Sequence, residues 1–142
     1  RDVPAYRAGA EKAVAVARMV KLSDEDIALL YGESPDAVAA RMFGLGAALV
    51  LLTHGSRGAR LLTRDGLDVG VPIATGEGAV VDTMGAGDAT LASVIAHVLR
   101  QGEPSGAEGW RACLKEAMRV AAATCAHAGG GLVLPRDRAQ DE

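Results

Sequence analysis

Val80-Val81-Asp82-Thr83-Met84-Gly85-Ala86-Gly87-Asp88-Ala89-Thr90 is the stretch that decides how this chain reads. Its two valines predict a short apolar strand, its glycines a break, and the residues from Asp88 onward an amphipathic helix. Gly85 and Gly87 lack a Cβ, so the chain can turn sharply and bring backbone N–H groups close to a ligand. Those groups open a helix, where four donors have no intrahelical partner and the dipole is positive. Such a terminus holds anions, phosphate oxygens above all. A carboxylate placed there has two readings. Asp88 is either a first-turn helix residue, the default for a lone Gly-x-Gly-Asp, or a base for a hydroxyl attacking beside a phosphate.

Composition bounds what surrounds this turn. The 142 residues are the length of one ordinary domain, and 49% hydrophobic content is ample for a core. A net charge of −3 gives no electrostatic case for nucleic acid or an anionic membrane as partner. No apolar run approaches the roughly 18 residues that span a bilayer, and the charged first residues are not a signal pattern. Cys113 and Cys125 lie twelve apart without metal-ligand spacing and read as small buried residues of a reduced, cytoplasmic protein.

Outward from the central stretch, the pattern is that of an α/β chain. Residues 1–7 read as the tail of a strand or a loop, with Pro4 breaking any ladder, and Ala8 to Met19 as an alanine-rich helix. Val20-Lys21-Leu22 is a short strand. Ser23 then caps a helix over Asp24–Tyr31 closed by Gly32, with Asp24, Glu25 and Asp26 complementing its dipole. Ser34-Pro35 starts a further helix expected to stop at Gly44. Ala47 to Thr53 is a continuous apolar run, as expected of a parallel strand buried on both faces. Gly55 and Gly58 turn the chain into a strand over Ala59–Thr63, and Arg64-Asp65-Gly66 into another over Leu67–Ile73. Thr75-Gly76-Glu77-Gly78 reads as a loop. The helix from Asp88 to Gln101 is expected to bury Leu91, Ile95, Val98 and Leu99, with His97 on the solvent side. A last helix over Trp110–Ala128 follows a polar loop, and residues 136–142 read as a frayed tail. His54 has no carboxylate close in sequence, which argues against catalytic use.

Asp82-Thr83-Met84-Gly85-Ala86-Gly87-Asp88 closely resembles the signature of PfkB-type (ribokinase-like) carbohydrate kinases, usually Asp-Thr-x-Gly-Ala-Gly-Asp. The resemblance implies a three-layer α/β/α fold with a mostly parallel central sheet and helices on both faces. It implies that Asp88 deprotonates a sugar hydroxyl and that Gly85, Ala86 and Gly87 form the anion hole for the transferring phosphoryl group. Asp82 and the carbonyl of Met84 become candidates for a monovalent-cation site (K+), with a carbonyl of Gly129 beside them. Family members are commonly about twice this length, with the signature in the last third. The resemblance therefore implies the C-terminal, nucleotide-side half of the fold, one α/β domain over 1–142.

Other segments carry the resemblance less closely. Thr53-His54-Gly55-Ser56-Arg57-Gly58-Ala59 is similar to the family's Thr-x-Gly-x-x-Gly-Ala, implying that Thr53, Gly55, Ser56, Arg57 and Gly58 run along ATP. As a bare pattern the segment is an ordinary hairpin, and Arg57 an exposed turn residue. Lys21-Leu22-Ser23-Asp24-Glu25-Asp26 stands where the family often has Asn-x-x-Glu near the magnesium and phosphate region. Asp26 is thus a metal-side candidate, with helix capping as its competing reading. The sequence Lys-x-Ser-Asp-Glu is similar to fructokinase-like members. Met118 stands on the alanine-rich helix where the family often has an adenine-side Asn, replacing a polar contact with a soft apolar one. The segment Asp2-Val3-Pro4-Ala5-Tyr6-Arg7 matches the family's Asp-x-Asn-x-Arg imperfectly, so no ligand role is taken for Arg7.

Three functions compete. The first is ATP-dependent, Mg2+-assisted phosphorylation of a sugar, since the chain has an anion nest, nucleotide-side glycines and a base but no Walker A motif. The second is a truncated or degenerate module that binds a nucleotide or anion without catalysis. The third, a structural α/β interaction domain, treats the signature as coincidence. A sheet cut near its middle exposes a strand edge, so a second copy or the missing N-terminal half is the expected protein partner.

Overall fold

Three helices of the chain open with a side chain bonded to a backbone N–H three residues on, and these caps set the frame. The structure is a computed structural model describing residues 2–75 and 78–135. Asp2 accepts from the Ala5 amide at 3.1 Å and starts α1 (Val3–Val14). Pro4 lies in the first turn of that helix, where its missing N–H costs nothing. Val3 to Arg7 of the tail expected over residues 1–7 are therefore helical, and the helix ends at Val14 instead of Met19. Met19 is drawn into β1 (Met19–Ser23) by pairing with β2, which overrides the helix propensity of the alanines before it.

Ser23 closes β1 and begins α2 (Asp24–Leu30). Its hydroxyl accepts from the Asp26 amide at 3.1 Å, while its own amide donates to Asp26 Oδ2 at 2.8 Å, a reciprocal capping box. Ser34 caps α3 (Pro35–Leu45) through the Ala37 amide. This helix runs through Gly44 and stops at Gly46, two residues later than expected. Gly46 is the position with φ of 132°, and a Cβ there would lie 3.1 Å from the Ala15 carbonyl oxygen.

Strand β2 (Leu49–Thr53) is buried on both faces, with Leu49 to Leu52 at 3% exposure or less. A 3-10 turn over Gly55–Arg57 leads to β3 (Ala59–Thr63), and a turn at 64–67 to β4 (Asp68–Val71). The strands lie in the order β1-β2-β3-β4. β1 is parallel to β2, with Met19 opposite Leu49 and Ser23 opposite Thr53; the other two pairs are antiparallel. The sheet is thus mixed, where a mostly parallel one was expected. Connection length is the reason: α2 and α3 provide a crossover between β1 and β2, while the short turns after β2 and β3 can join only antiparallel strands.

The chain divides into two compact units, Arg1–Val71 and Pro72–Glu142. In the first, Val14, Leu22, Ile27, Val38, Met42, Val50 and Leu52 form a continuous core between the three helices and one face of the sheet. In the second, α4 (Ala86–Gln101) packs on α5 (Gly106–Cys125). The buried positions of α4 are Ala89, Thr90 and Val94; Leu99 is 81% exposed and Ile95 also exposed, so the expected apolar face is turned by part of a helical step. On α5, Trp110, Cys113, Leu114, Ala117, Met118 and Ala121 are among the buried residues. Val80 and Val81 are exposed and lie outside any strand, contrary to expectation. Among the described residues no strand pairs with them; instead the amides of Val81 and Asp82 donate to the Cys125 carbonyl at the end of α5. The tail over 136–142 and positions Gly76 and Glu77 of the preceding loop lie outside the described residues. Among the described residues no helix is long and apolar enough to cross a membrane.

Replacing Ser23 with Ala removes the acceptor for the Asp26 amide, and the expected loss is about 1 kcal/mol of stability. A urea titration reads this as a lower midpoint at unchanged slope. An unchanged midpoint would mean that water serves the amide as well as the hydroxyl does.

Candidate active site

The turn 82–88 is shaped by glycine and tied by a carboxylate. Gly85 takes φ of 82° and ψ of −7°, and a Cβ on it would lie 2.8 Å from the Gly130 carbonyl oxygen. Only glycine satisfies both the left-handed conformation and that approach. Its carbonyl accepts the Ala89 amide at 2.8 Å, which starts α4. The Ala86 amide donates to Thr83 O at 3.3 Å. The next two amides, those of Gly87 and Asp88, have no acceptor among the described residues. Asp88 is the third residue of α4, exposed, with its carboxylate in the first turn. The helix start thus offers two open donors, a positive dipole end and one solvent-facing carboxylate.

Asp82 ties this turn to the loop after α5. One carboxylate oxygen accepts from the Met84 amide at 2.9 Å and the other from the Gly129 amide at 3.0 Å. Those bonds, Met84 first and Gly129 second, hold the Asp82 carboxyl below its ordinary value. The structure therefore brings together Asp82, Met84, Gly85, Ala86, Gly87, Asp88 and Gly129. Asp82 and Met84 are close in sequence, but the bond to Gly129 spans 47 residues. Met118 is buried in α5.

The second group belongs to the first unit. Thr53 ends β2, and the turn that follows is closed by His54 N–H to Gly58 O at 2.8 Å and Arg57 N–H to His54 O at 3.0 Å. Gly55, Ser56 and Arg57 are exposed, Thr53 is half-buried and Gly58 is buried. Asp24, the first residue of α2, reaches this turn with both oxygens. His54 Nδ1 lies 2.7 Å from Asp24 Oδ1, and Arg57 Nη2 donates to Asp24 Oδ2 at 2.8 Å. Partial burial raises the Asp24 carboxyl, but the bonds from His54 and Arg57 outweigh it and leave the group below its ordinary value.

Sequence reasoning missed this bridge. Asp24 reads as a first-turn acid, and His54 has no carboxylate near it in sequence. The only available signal is register: Ser23 pairs with Thr53, so the next residue of each strand meets the other. Asp26 sits close by but is engaged in the capping box, accepting from both the amide and the hydroxyl of Ser23, with Lys21 Nζ at 3.9 Å. It also borders a cavity of about 360 Å³ lined by Tyr6, Ala10, Val20 and Tyr31. Among the described residues no cluster of three His, Cys, Asp or Glu side chains could hold a metal ion.

The profile of the pfkB family carbohydrate kinases matches residues 2–137 of the chain. The chain belongs to the pfkB family. Among curated relatives, it is 38% identical over 100 residues to a fructokinase of Rhizobium leguminosarum bv. trifolii, a stretch covering 69% of this pfkB chain and 29% of the relative. Among solved structures, it resembles the aminoimidazole riboside kinase of Salmonella enterica complexed with aminoimidazole riboside and an ATP analog. That match has a TM-score of 0.76 at 22% identity and covers 91% of this chain and 42% of the other. Arabidopsis thaliana ribokinase, complexed with ribose and ATP, matches with a TM-score of 0.70 at 22% identity, covering 84% and 38%. These neighbours establish the ribokinase-like fold. The pfkB chain spans less than half the length of each of these proteins.

The Asp82 tie generates a pH prediction. Because folding lowers this carboxyl, its stabilising contribution is complete above the ordinary aspartate value of 3.8 and fades as pH falls below it. The difference in melting temperature between the native chain and Asp82→Asn should therefore be constant from about pH 5 to about pH 8 and shrink below about pH 4. A difference that grew on acidification would contradict the tie.

Proposed function

We propose that this chain supplies the nucleotide side of an ATP-dependent, fructokinase-like sugar kinase. The observation that carries the reading is the pair of open amides at Gly87 and Asp88 next to an exposed carboxylate at the start of α4. Phosphoryl transfer to an alcohol asks for few things of a protein: charge stabilisation at the transferring group, positioning, and a base. Asp88 accepts the proton of the sugar hydroxyl as the oxygen attacks the γ-phosphorus, and the bond to the ADP oxygen breaks. The turn Gly85-Ala86-Gly87 forms the anion hole, with the amides of Gly87 and Asp88 as its open donors, because the Ala86 amide already meets Thr83 O.

Thr53, Gly55, Ser56, Arg57 and Gly58 are proposed to follow the nucleotide, and Met118 to lie on its adenine side. Magnesium is assigned to the nucleotide phosphates, since Mg2+ keeps much of its water and takes few protein ligands. Asp26, engaged by Ser23, does not suit direct ligation. A K+ ion is proposed to take the Asp82 carboxylate and the carbonyls of Met84 and Gly129, whose amides donate to Asp82, and when bound would add positive charge beside the anion-holding turn. A second reading, nucleotide or anion binding without turnover by these 142 residues alone, is favoured by the share of its relatives' length that the chain spans.

Coupled ATP turnover over fructose, ribose and adenosine, set beside ATP titration, separates the two. Turnover with any of these substrates supports the kinase reading, while binding without turnover supports the second. Where turnover is present, Asp88→Asn is expected to lower kcat by about 10²- to 10⁴-fold at nearly unchanged ATP affinity. Equal kcat in that variant would remove the base assignment.

A further inference from the structure

Asp24 and His54 each stand one residue past the carboxyl end of a strand, in the sheet's only parallel pair among the described residues. Ligands of α/β sheets bind outside such carboxyl ends. The 54–58 turn is fixed in its backbone by its own hydrogen bonds, while the side chains of His54 and Arg57 find their partner among the described residues in Asp24, one carboxylate oxygen to each. We propose that Asp24 is a positioning residue for nucleotide binding, holding the His54 ring and the Arg57 guanidinium in the one arrangement that receives the phosphates. This rests on the assignment of the 53–58 segment to ATP made above.

The bridge has two consequences. Its short contact to Nδ1 places a proton on that nitrogen, which fixes the orientation of the ring and turns Nε2 away from Asp24. Arg57 has a side chain 74% exposed, and a free arginine would sample many rotamers; with Nη2 on Asp24 it enters binding already ordered. Held by one nitrogen, the guanidinium still has donors to offer a phosphate.

Simple electrostatics and positioning predict opposite signs. Removing the Asp24 charge makes the turn more positive, so attraction alone would tighten ATP. Loss of positioning would loosen it. The expected result for Asp24→Asn is ATP affinity lower by about tenfold. In the same variant, nitrogen-detected NMR should find that the His54 ring no longer holds its proton on Nδ1. Asp24→Glu, which restores the carboxylate, should recover part of both signals. In an Arg57→Gln background, Asp24→Asn should have a much smaller further effect on ATP, since the two act through one another.

Unchanged or tighter ATP binding by Asp24→Asn would overturn the proposal, as would an unaltered ring tautomer. A native chain that binds no ATP would overturn the nucleotide assignment of the turn, and Asp24's part in it. The ring tautomer would in that case still tell whether Asp24 organises the turn. A loss of folding in Asp24→Asn is controlled by His54→Asn, which keeps an N–H near the Nδ1 position and the Arg57 pair. It should bind ATP more nearly like the native chain than His54→Ala does.

Discussion

Every helix start leaves backbone donors without partners, and where those donors find acceptors organises this chain. Asp2, Ser23 and Ser34 satisfy α1, α2 and α3 from their own side chains. The starts of α4 and α5 have no such cap; at α4, Gly85 brings no side chain, and the amides of Gly87 and Asp88 meet no acceptor among the described residues. A native protein leaves donors open mostly where solvent or a ligand meets them. The same glycine that removes the cap lets the Gly130 carbonyl approach, so the open donors and the shape of the turn share one cause. Asp82 then acts on the opposite side of the balance, as an acceptor for two amides of the loops around the turn.

The sheet follows an equally economical rule. A parallel pair needs a crossover, and only β1 and β2 are separated by enough chain to make one. Once they are parallel, their carboxyl ends point the same way, and the residues just past them meet. Asp24 therefore becomes the partner of a histidine and an arginine some thirty residues away. The family match covers residues 2–137, and the structural neighbours share the ribokinase-like fold.

Several departures from the sequence expectations trace to particular competitions. Pro4 breaks a strand but also suits a first helical turn, and the cap at Asp2 decides in favour of the helix. Gly44 and Gly46 both look like stops; the chain stops at the one with positive φ. Val80 and Val81 have strand chemistry, but among the described residues no strand pairs with them, and their segment bonds instead to the end of α5. On α4 the helical period is legible, but which arc of it faces α5 depends on where the two helices touch.

What the amino-acid sequence determined by itself is local: the serine caps with an amide three residues on, the buried run of β2, the glycines of the signature and the exposed start of α4. Each depends on groups within a few residues of one another, so spacing alone specifies the geometry. What tertiary structure decided is the partner of each carboxylate. Asp24 meets His54 and Arg57, and Asp82 meets Gly129, because strand register and helix packing carry those groups together over 30 to 47 residues of chain. No spacing rule encodes a hydrogen bond of that span; the fold has to form before the two ends of it are neighbours.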